Sequence, residues 1–396
     1  MKIFLPVVFA LSTITTFTTS TTLTTITASA QPAFSNALDT LFSAIKSGQI
    51  PDRLLTGKDT SLTRSILLDY GPIAAMHHEI INQYPVEKDL YRLLIACDTL
   101  HDLLTVDARL DHDQIRFTLP LWHDTRYWRE ARIGTIHYYY DHDFDPKAGA
   151  AFDAFNRELA RKLGLKPQHL DFYLTDNYQQ IRQLLGHTYD RSAAGKYRDG
   201  SYADERTMFA IMHNEDFSHD LVHFYISKVR TNPRNAYAEE GLAYYWGNAY
   251  YTDSAGQMIT YPRIRADLRA YFLDHPQADP VSLFRQNMRG LFKAAPEISI
   301  RAAMAAVLME AIEKEHGLPG ILQLMNCGPG EQNYFSALDK LTGVNAANFN
   351  ERLRYCLRPD NPHPALPATV KTPKISDASF APAPPQTSQA PSQTLQ

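Results

Sequence analysis

Two histidines four positions apart, His219 and His223 in the run Ser218-His219-Asp220-Leu221-Val222-His223, are the side chains best placed to do chemistry together. On a helix, positions i and i+4 share one face, so both imidazoles reach a single ion. A helix is expected here. Asn214 offers an N-cap, Glu215 and Asp216 suit the positive end of the dipole, and Phe217, Leu221 and Phe224 form an apolar stripe. A catalytic zinc centre takes three protein ligands and keeps a further position open for water. The stretch Asn235-Ala236-Tyr237-Ala238-Glu239-Glu240-Gly241-Leu242-Ala243 offers the third ligand from a second helix that starts near Pro233 and Asn235. Its Gly241 and Ala243 are small enough for close approach to the first helix.

Together these pieces resemble the gluzincin group of zinc metallopeptidases, specifically the bacterial peptidase MA-like proteins. In that family HExxH is followed by a helix carrying Glu-Gly-(Leu/Phe)-Ala, whose glutamate is the third ligand. Matched residue by residue, His219 and His223 take the places of the two histidines. Glu240, directly before Gly241, takes that of the ligand glutamate, and Glu239 points about 100° away on the same helix. Met208-Phe209-Ala210-Ile211 falls where the family carries an edge strand that pairs with extended peptide. Tyr334 to Gly343, leading into Phe349 to Tyr355, resembles the family's closing pair of helices. The resemblance covers roughly residues 130–357 and leaves out the N-terminal third. It implies Zn2+ as cofactor, a peptide or protein substrate, and hydrolysis of peptide bonds by activated water.

The chain departs from the family at the middle of the motif, where Asp220 stands in place of the glutamate general base. That base takes a proton from the attacking water and delivers it to the leaving nitrogen. Aspartate is one methylene shorter, and a misplacement of about 1 Å costs on the order of 10²-fold in rate. Three outcomes stay open: Asp220 serves as base, another carboxylate such as Glu215 or Glu239 substitutes, or the site binds zinc without efficient hydrolysis. The last describes a pseudo-peptidase that holds zinc and binds peptide or cell-surface polymer. A zinc amidase acting on wall peptides is a further rival. The oxyanion partner is not assigned, and a buried aromatic flank is the expected role of Tyr244 and Tyr245.

The elements that must position these residues read as an α+β chain, a zincin-like domain with a small sheet and a helical C-terminal lobe after a mainly helical N-terminal region. Lys2, the apolar run Ile3 to Leu11 and the small-x-small ending Ala28-Ser29-Ala30 read as an export signal over 1–30, giving a periplasmic or secreted protein. Residues 31–127 are expected to be mainly helical, with Leu90, Leu93, Leu94 and Cys97 at helical spacing and a strand at Gln114–Leu119 after a polar turn. The peptidase-like domain spans 128–357. Its expected strands are Ile133–Tyr140, Leu170–Leu174 and Arg206–Ile211, with helices at 147–163 and 178–185, a loop over 186–200, and helices from Pro262 to Leu357. Residues 358–396, rich in Pro, Ser, Ala and Gln, cannot bury a core and read as disordered.

With 396 residues, 44% of them hydrophobic, the chain has enough apolar surface for a sizeable core. Its net charge of -4 leaves no basic footprint for nucleic acid. No stretch after the export signal reaches the ~20 apolar residues of a membrane span. Cys97, Cys327 and Cys356 form no metal-binding or redox spacing, and Cys327 with Cys356 could pair in an oxidising compartment. Other polar clusters rank lower. His77-His78-Glu79 has Asn82 where a second ligand would stand. Asp111-His112-Asp113 and Asp141-His142-Asp143 read as polar turns, and Gly186 to Asp190 as a solvated loop. His213 is a candidate to support the ligands from outside.

Overall fold

The computed structural model describes residues 30–98, 102–112, 114–190, 200–204, 206–249, 257–292 and 295–358. The export signal expected over 1–30 (but for Ala30) and the tail expected beyond 358 lie outside these. The described chain is mixed α and β. Three helices open it, α1 (Ala30–Lys46), α2 (Thr60–Asp69) and α3 (Gly71–Ala74). An antiparallel meander then follows: β1 (His78–Glu87), β2 (Leu90–Cys97), β3 (Asp102–Asp111) and β4 (Gln114–Thr118).

This meander corrects the helical expectation for the N-terminal region. Leu90, Leu93, Leu94 and Cys97 do fit a helical period, but Leu93, Ile95 and Cys97 also alternate, and those three are the fully buried ones. A two-residue turn at Lys88-Asp89, with Asp89 left-handed at φ 59°, closes the β1–β2 hairpin and sets its register. Pro85 sits in β1 at the sheet edge, the place where a strand tolerates a missing N–H. The polar turn before Gln114 is present, with His112 left-handed at φ 54°.

After α4 (Pro120–Asp124) comes the second sheet, in spatial order β5 (Arg129–Ile133), β6 (Ile136–Tyr140), β7 (Leu170–Leu174), β10 (Thr207–Ala210) and β9 (Ser201–Tyr202). The three middle strands, β6, β7 and β10, run parallel, and the two outer ones antiparallel to them. Crossovers are made by α5 (Pro146–Lys162) and by α6 (Tyr178–Leu184). Between α6 and β9, β8 (His187–Asp190) pairs with β3 of the first sheet, so part of the expected 186–200 loop is a strand. Lys58 also donates to the Tyr139 hydroxyl at 3.0 Å, a further link between the N-terminal region and the second sheet. The expected edge at Met208–Ile211 is corrected too: β10 lies between β7 and β9, and all four of its residues are buried.

Two helices follow and pack against each other, α7 (Ser218–Val229) and α8 (Ala236–Gly247). A helical lobe completes the chain: α9 (Tyr261–Asp274), α10 (Pro280–Gln286), α11 (Ile300–Met325), α12 (Glu331–Thr342) and α13 (Phe349–Cys356). Within α11 two helical stretches meet at Gly317, whose φ of 61° breaks the helix. No helix among the described residues is long and apolar enough to cross a membrane.

Candidate metal centre

The first helix of the site is fixed by what it buries. Phe217, Leu221, Val222, Tyr225 and Ile226 are removed from solvent, with Phe217 against Phe172 of β7. The Tyr225 hydroxyl donates to Asn156 Oδ1 on α5 at 2.6 Å and accepts from the Gln168 amide at 2.8 Å. Deep burial of a tyrosine is tolerated when its hydroxyl is satisfied this way. The N-terminus differs from the expectation that Asn214 caps it. The chain turns sharply at Met212 and His213, both left-handed, and the helix begins later, at Ser218. Asp216 takes over the first orphan donor, accepting from the Ser218 amide at 2.7 Å. Burial raises the Asp216 carboxyl above its usual range.

The second helix starts where Asn235 was expected to start it. The Asn235 side chain accepts from the amides of Tyr237 and Ala238, and its own amide donates to the carbonyls of Gly328 and Gly330. One buried side chain thus caps α8 and ties it to the loop before α12. The small residues of α8 play a different part from the one expected. A Cβ at Gly241 would stand 2.5 Å from Ala305 Cβ, so Gly241 seats α8 on α11, not on α7. Approach to α7 is made at Gly247, where a Cβ would lie 2.5 Å from Ser218 O and 2.7 Å from His219 Cα.

That close approach has a chemical result. Just past Gly247, Asn248 is left-handed at φ 65° and turns its carbonyl to accept from His219 Nδ1 at 3.0 Å. His223 Nδ1 donates to the Glu239 carboxylate at 2.9 Å. With both Nδ1 atoms engaged, both Nε2 lone pairs point the same way, 3.3 Å apart. Glu240 completes the set, its oxygens 3.6 Å from His219 Nε2 and 3.5 Å from His223 Nε2. Two ligands about 2.0–2.1 Å from one tetrahedral zinc stand about 3.3 Å from each other, so these spacings fit the ion. Imidazole and carboxylate are also donors zinc accepts.

Arginines surround the carboxylates. Arg230 donates to Glu239, Arg234 Nε lies 3.0 Å from the same carboxylate, and the Arg234 guanidinium also donates to Glu240 Oε1 at 2.6 Å. Burial works against charge on Glu239, yet His223 and the two arginines hold its carboxyl below the usual range. Burial likewise opposes charge on His219, but its bond to Glu240 and the carboxylates of Asp220 and Glu240 outweigh it and raise the imidazole to about 9, so an ion taken up at Nε2 must displace a proton there. Glu240 is held far below the usual carboxylate range, chiefly by His223 and His219 against the cost of burial. Tyr244, buried as expected, sets its ring edge-on to His219 at 5.3 Å.

Asp220 is partly buried in the first turn of α7. Of its two possible substitutes, Glu215 accepts from the Asp145 amide at 2.7 Å and Glu239 accepts from His223 Nδ1 at 2.9 Å. His78 lies on β1 and pairs with Asp39, and His112 pairs with its neighbour Asp111 on an exposed turn. His213 pairs with Asp176 at 2.6 Å, not with a ligand histidine. All three cysteines are free thiols. Sequence reasoning missed Arg230, Arg234, Gly247 and Asn248. Of these only the Gly247-Asn248 pair carried a signal, as a helix stop followed by a turn residue. Compared with protein-family models, with curated proteins and with solved structures, the chain matches none.

Proposed function

We propose that this chain is an exported zinc metallopeptidase-like protein of the gluzincin kind, with His219, His223 and Glu240 holding one Zn2+. The observation that carries the proposal is the convergence of those three ligand atoms from α7 and α8, all within 4.8 Å of one another, with both imidazole Nδ1 atoms engaged elsewhere. When bound, zinc supplies Lewis-acid polarisation of a water and of a substrate carbonyl. The protein's own residues do the rest. Asn248 and Glu239 fix the ligand tautomers, and Asp220 is the general base that takes the proton of the attacking water and passes it to the leaving nitrogen. A sheet on one side of the metal helix and a helical lobe on the other are compatible with a zincin-like fold. Export rests on the segment from Lys2 to Ala30.

One feature favours the rival reading of a pseudo-peptidase that binds zinc and peptide or cell-surface polymer. The Arg234 contact with Glu240, added to the short side chain of Asp220, weakens the site as a catalyst without removing a ligand. The test is elemental analysis of the purified protein beside cleavage of a mixed peptide library by wild type, His219→Ala and Asp220→Glu. Cleavage by wild type that His219→Ala abolishes supports the peptidase. Cleavage gained only in Asp220→Glu supports the rival, and a metal content unchanged by His219→Ala overturns both.

A further inference from the structure

Three neighbouring parallel strands, β6, β7 and β10, end at Tyr140, Leu174 and Ala210. Just beyond those ends the chain places Asp141 and His142, then Asp176, then His213. Segments leaving the carboxyl ends of parallel strands emerge on one rim of the sheet, where such folds gather ligands. Here they bring four polar side chains into contact. His142 Nδ1 lies 2.6 Å from Asp141 Oδ1, and His213 Nε2 lies 2.6 Å from Asp176 Oδ1. The two imidazoles pack at 4.0 Å between ring centroids, and His142 Nε2 is 4.0 Å from the Asp176 carboxylate. One ligand atom each from Asp141, His142 and His213 lie within 4.8 Å of one another.

We propose that Asp141, His142 and His213, supported by Asp176, form a second binding site for a divalent transition-metal ion, separate from the His219, His223 and Glu240 centre. His213 has its Nε2 on the Asp176 carboxylate, the pairing that fixes a ligand's tautomer and raises its basicity. That leaves the His213 Nδ1 lone pair on offer, beside Asp141 and a ring nitrogen of His142. His213 Nδ1 is removed from solvent and has no hydrogen-bond partner among the described residues. Such an orphan is costly unless something fills it. Met212 and His213 both adopt left-handed backbone, and their amides are held by Asp176 O and Thr175 O, which fixes His213 over the rim. Two imidazoles with carboxylates suit zinc, nickel or copper, whereas calcium and magnesium prefer all-oxygen sites. The site is open to solvent, with His142 about half exposed, so it binds more weakly than the buried centre and exchanges its ion freely.

The experiment is equilibrium dialysis of the full chain against Zn2+, comparing wild type, His142→Ala/His213→Ala, and His219→Ala/His223→Ala. Wild type is expected to bind two ions with distinct affinities, and the first double variant to lose the weaker one at least tenfold. The second double variant keeps that weaker ion, so failure of the buried centre and failure of this site are told apart. An isotherm for His142→Ala/His213→Ala that superimposes on wild type overturns the proposal. Carbethoxylation mapped by mass spectrometry on the unmutated chain gives the same answer without relying on a folded variant. Zn2+ should protect His142 and His213, and unprotected modification at saturating zinc refutes the site.

Discussion

Glu239→Gln separates the orienting role proposed for Glu239 from the ligand role proposed for Glu240. Glu239 is buried, accepts from His223 Nδ1 at 2.9 Å and from Arg230, and has Arg234 Nε at 3.0 Å. A glutamine of the same shape replaces one acceptor oxygen with a donor, so His223 and Arg230 cannot both keep their bonds. Loss of the contact that orients a ligand histidine costs about 10–100-fold in metal affinity, or about 1.4–2.7 kcal/mol. Breaking a buried ion pair costs about 3–5 kcal/mol, and partial exposure of Arg234 brings the expected loss of stability to about 2 kcal/mol. The assay is competition for zinc with a chromophoric chelator, beside chemical denaturation of the metal-free protein. Glu240→Gln should remove binding at this centre, and Glu239→Gln should weaken it by one to two decades. Affinity within twofold of wild type would refute the orienting role, and full loss in Glu239→Gln with retention in Glu240→Gln would reverse the two assignments.

Gly247→Ala should destabilise the fold by about 1–3 kcal/mol, because the new methyl meets backbone atoms of Ser218 and His219. It should also weaken zinc binding by moving the Asn248 carbonyl off His219 Nδ1, and denaturation with metal titration checks both. Asn235→Ala removes a cap and leaves two carbonyls without their donor, so it should cost roughly 2 kcal/mol in a denaturant titration. Burial pushes the thiols of Cys97 and Cys327 up to about 11 and that of Cys356 up to about 12. At pH 8 a thiol at about 11 is thiolate on the order of one part in a thousand. Reaction with a thiol-reactive disulfide should therefore be slow in the native protein, rise about tenfold per pH unit towards pH 10, and titrate three thiols after denaturation. Fewer than three would mean that a disulfide had formed.

The site was legible in the sequence where it is local. His219 and His223 are one helical turn apart, and Glu239 and Glu240 lie in a short helix with its own cap at Asn235. What the sequence concealed is set by tertiary approach. Arg230 and Arg234 are ordinary charges on a linear reading, and nothing local says that both reach the same carboxylate. Gly241 looked like a contact for the metal helix, and only the packing of α11 shows that Ala305 is what it meets. The N-terminal meander was misread because a half-buried strand such as β2, with Leu93, Leu94, Ile95, Ala96 and Cys97 in a run, satisfies helical and strand periods alike. Tertiary pairing with β1 and β3 decides between them. Asp141 and His142 read as a polar turn, His213 as a support for the other histidines, and Asp176 carried no signal, since nothing short of the parallel strand order brings them to one rim.

Whether His219, His223 and Glu240 hold one zinc ion is read directly by anomalous diffraction at the zinc edge from crystals of the purified chain. A peak is expected within about 2.0–2.2 Å of His219 Nε2, His223 Nε2 and a Glu240 carboxylate oxygen. Zinc-replete crystals with no anomalous density among those three atoms would contradict it.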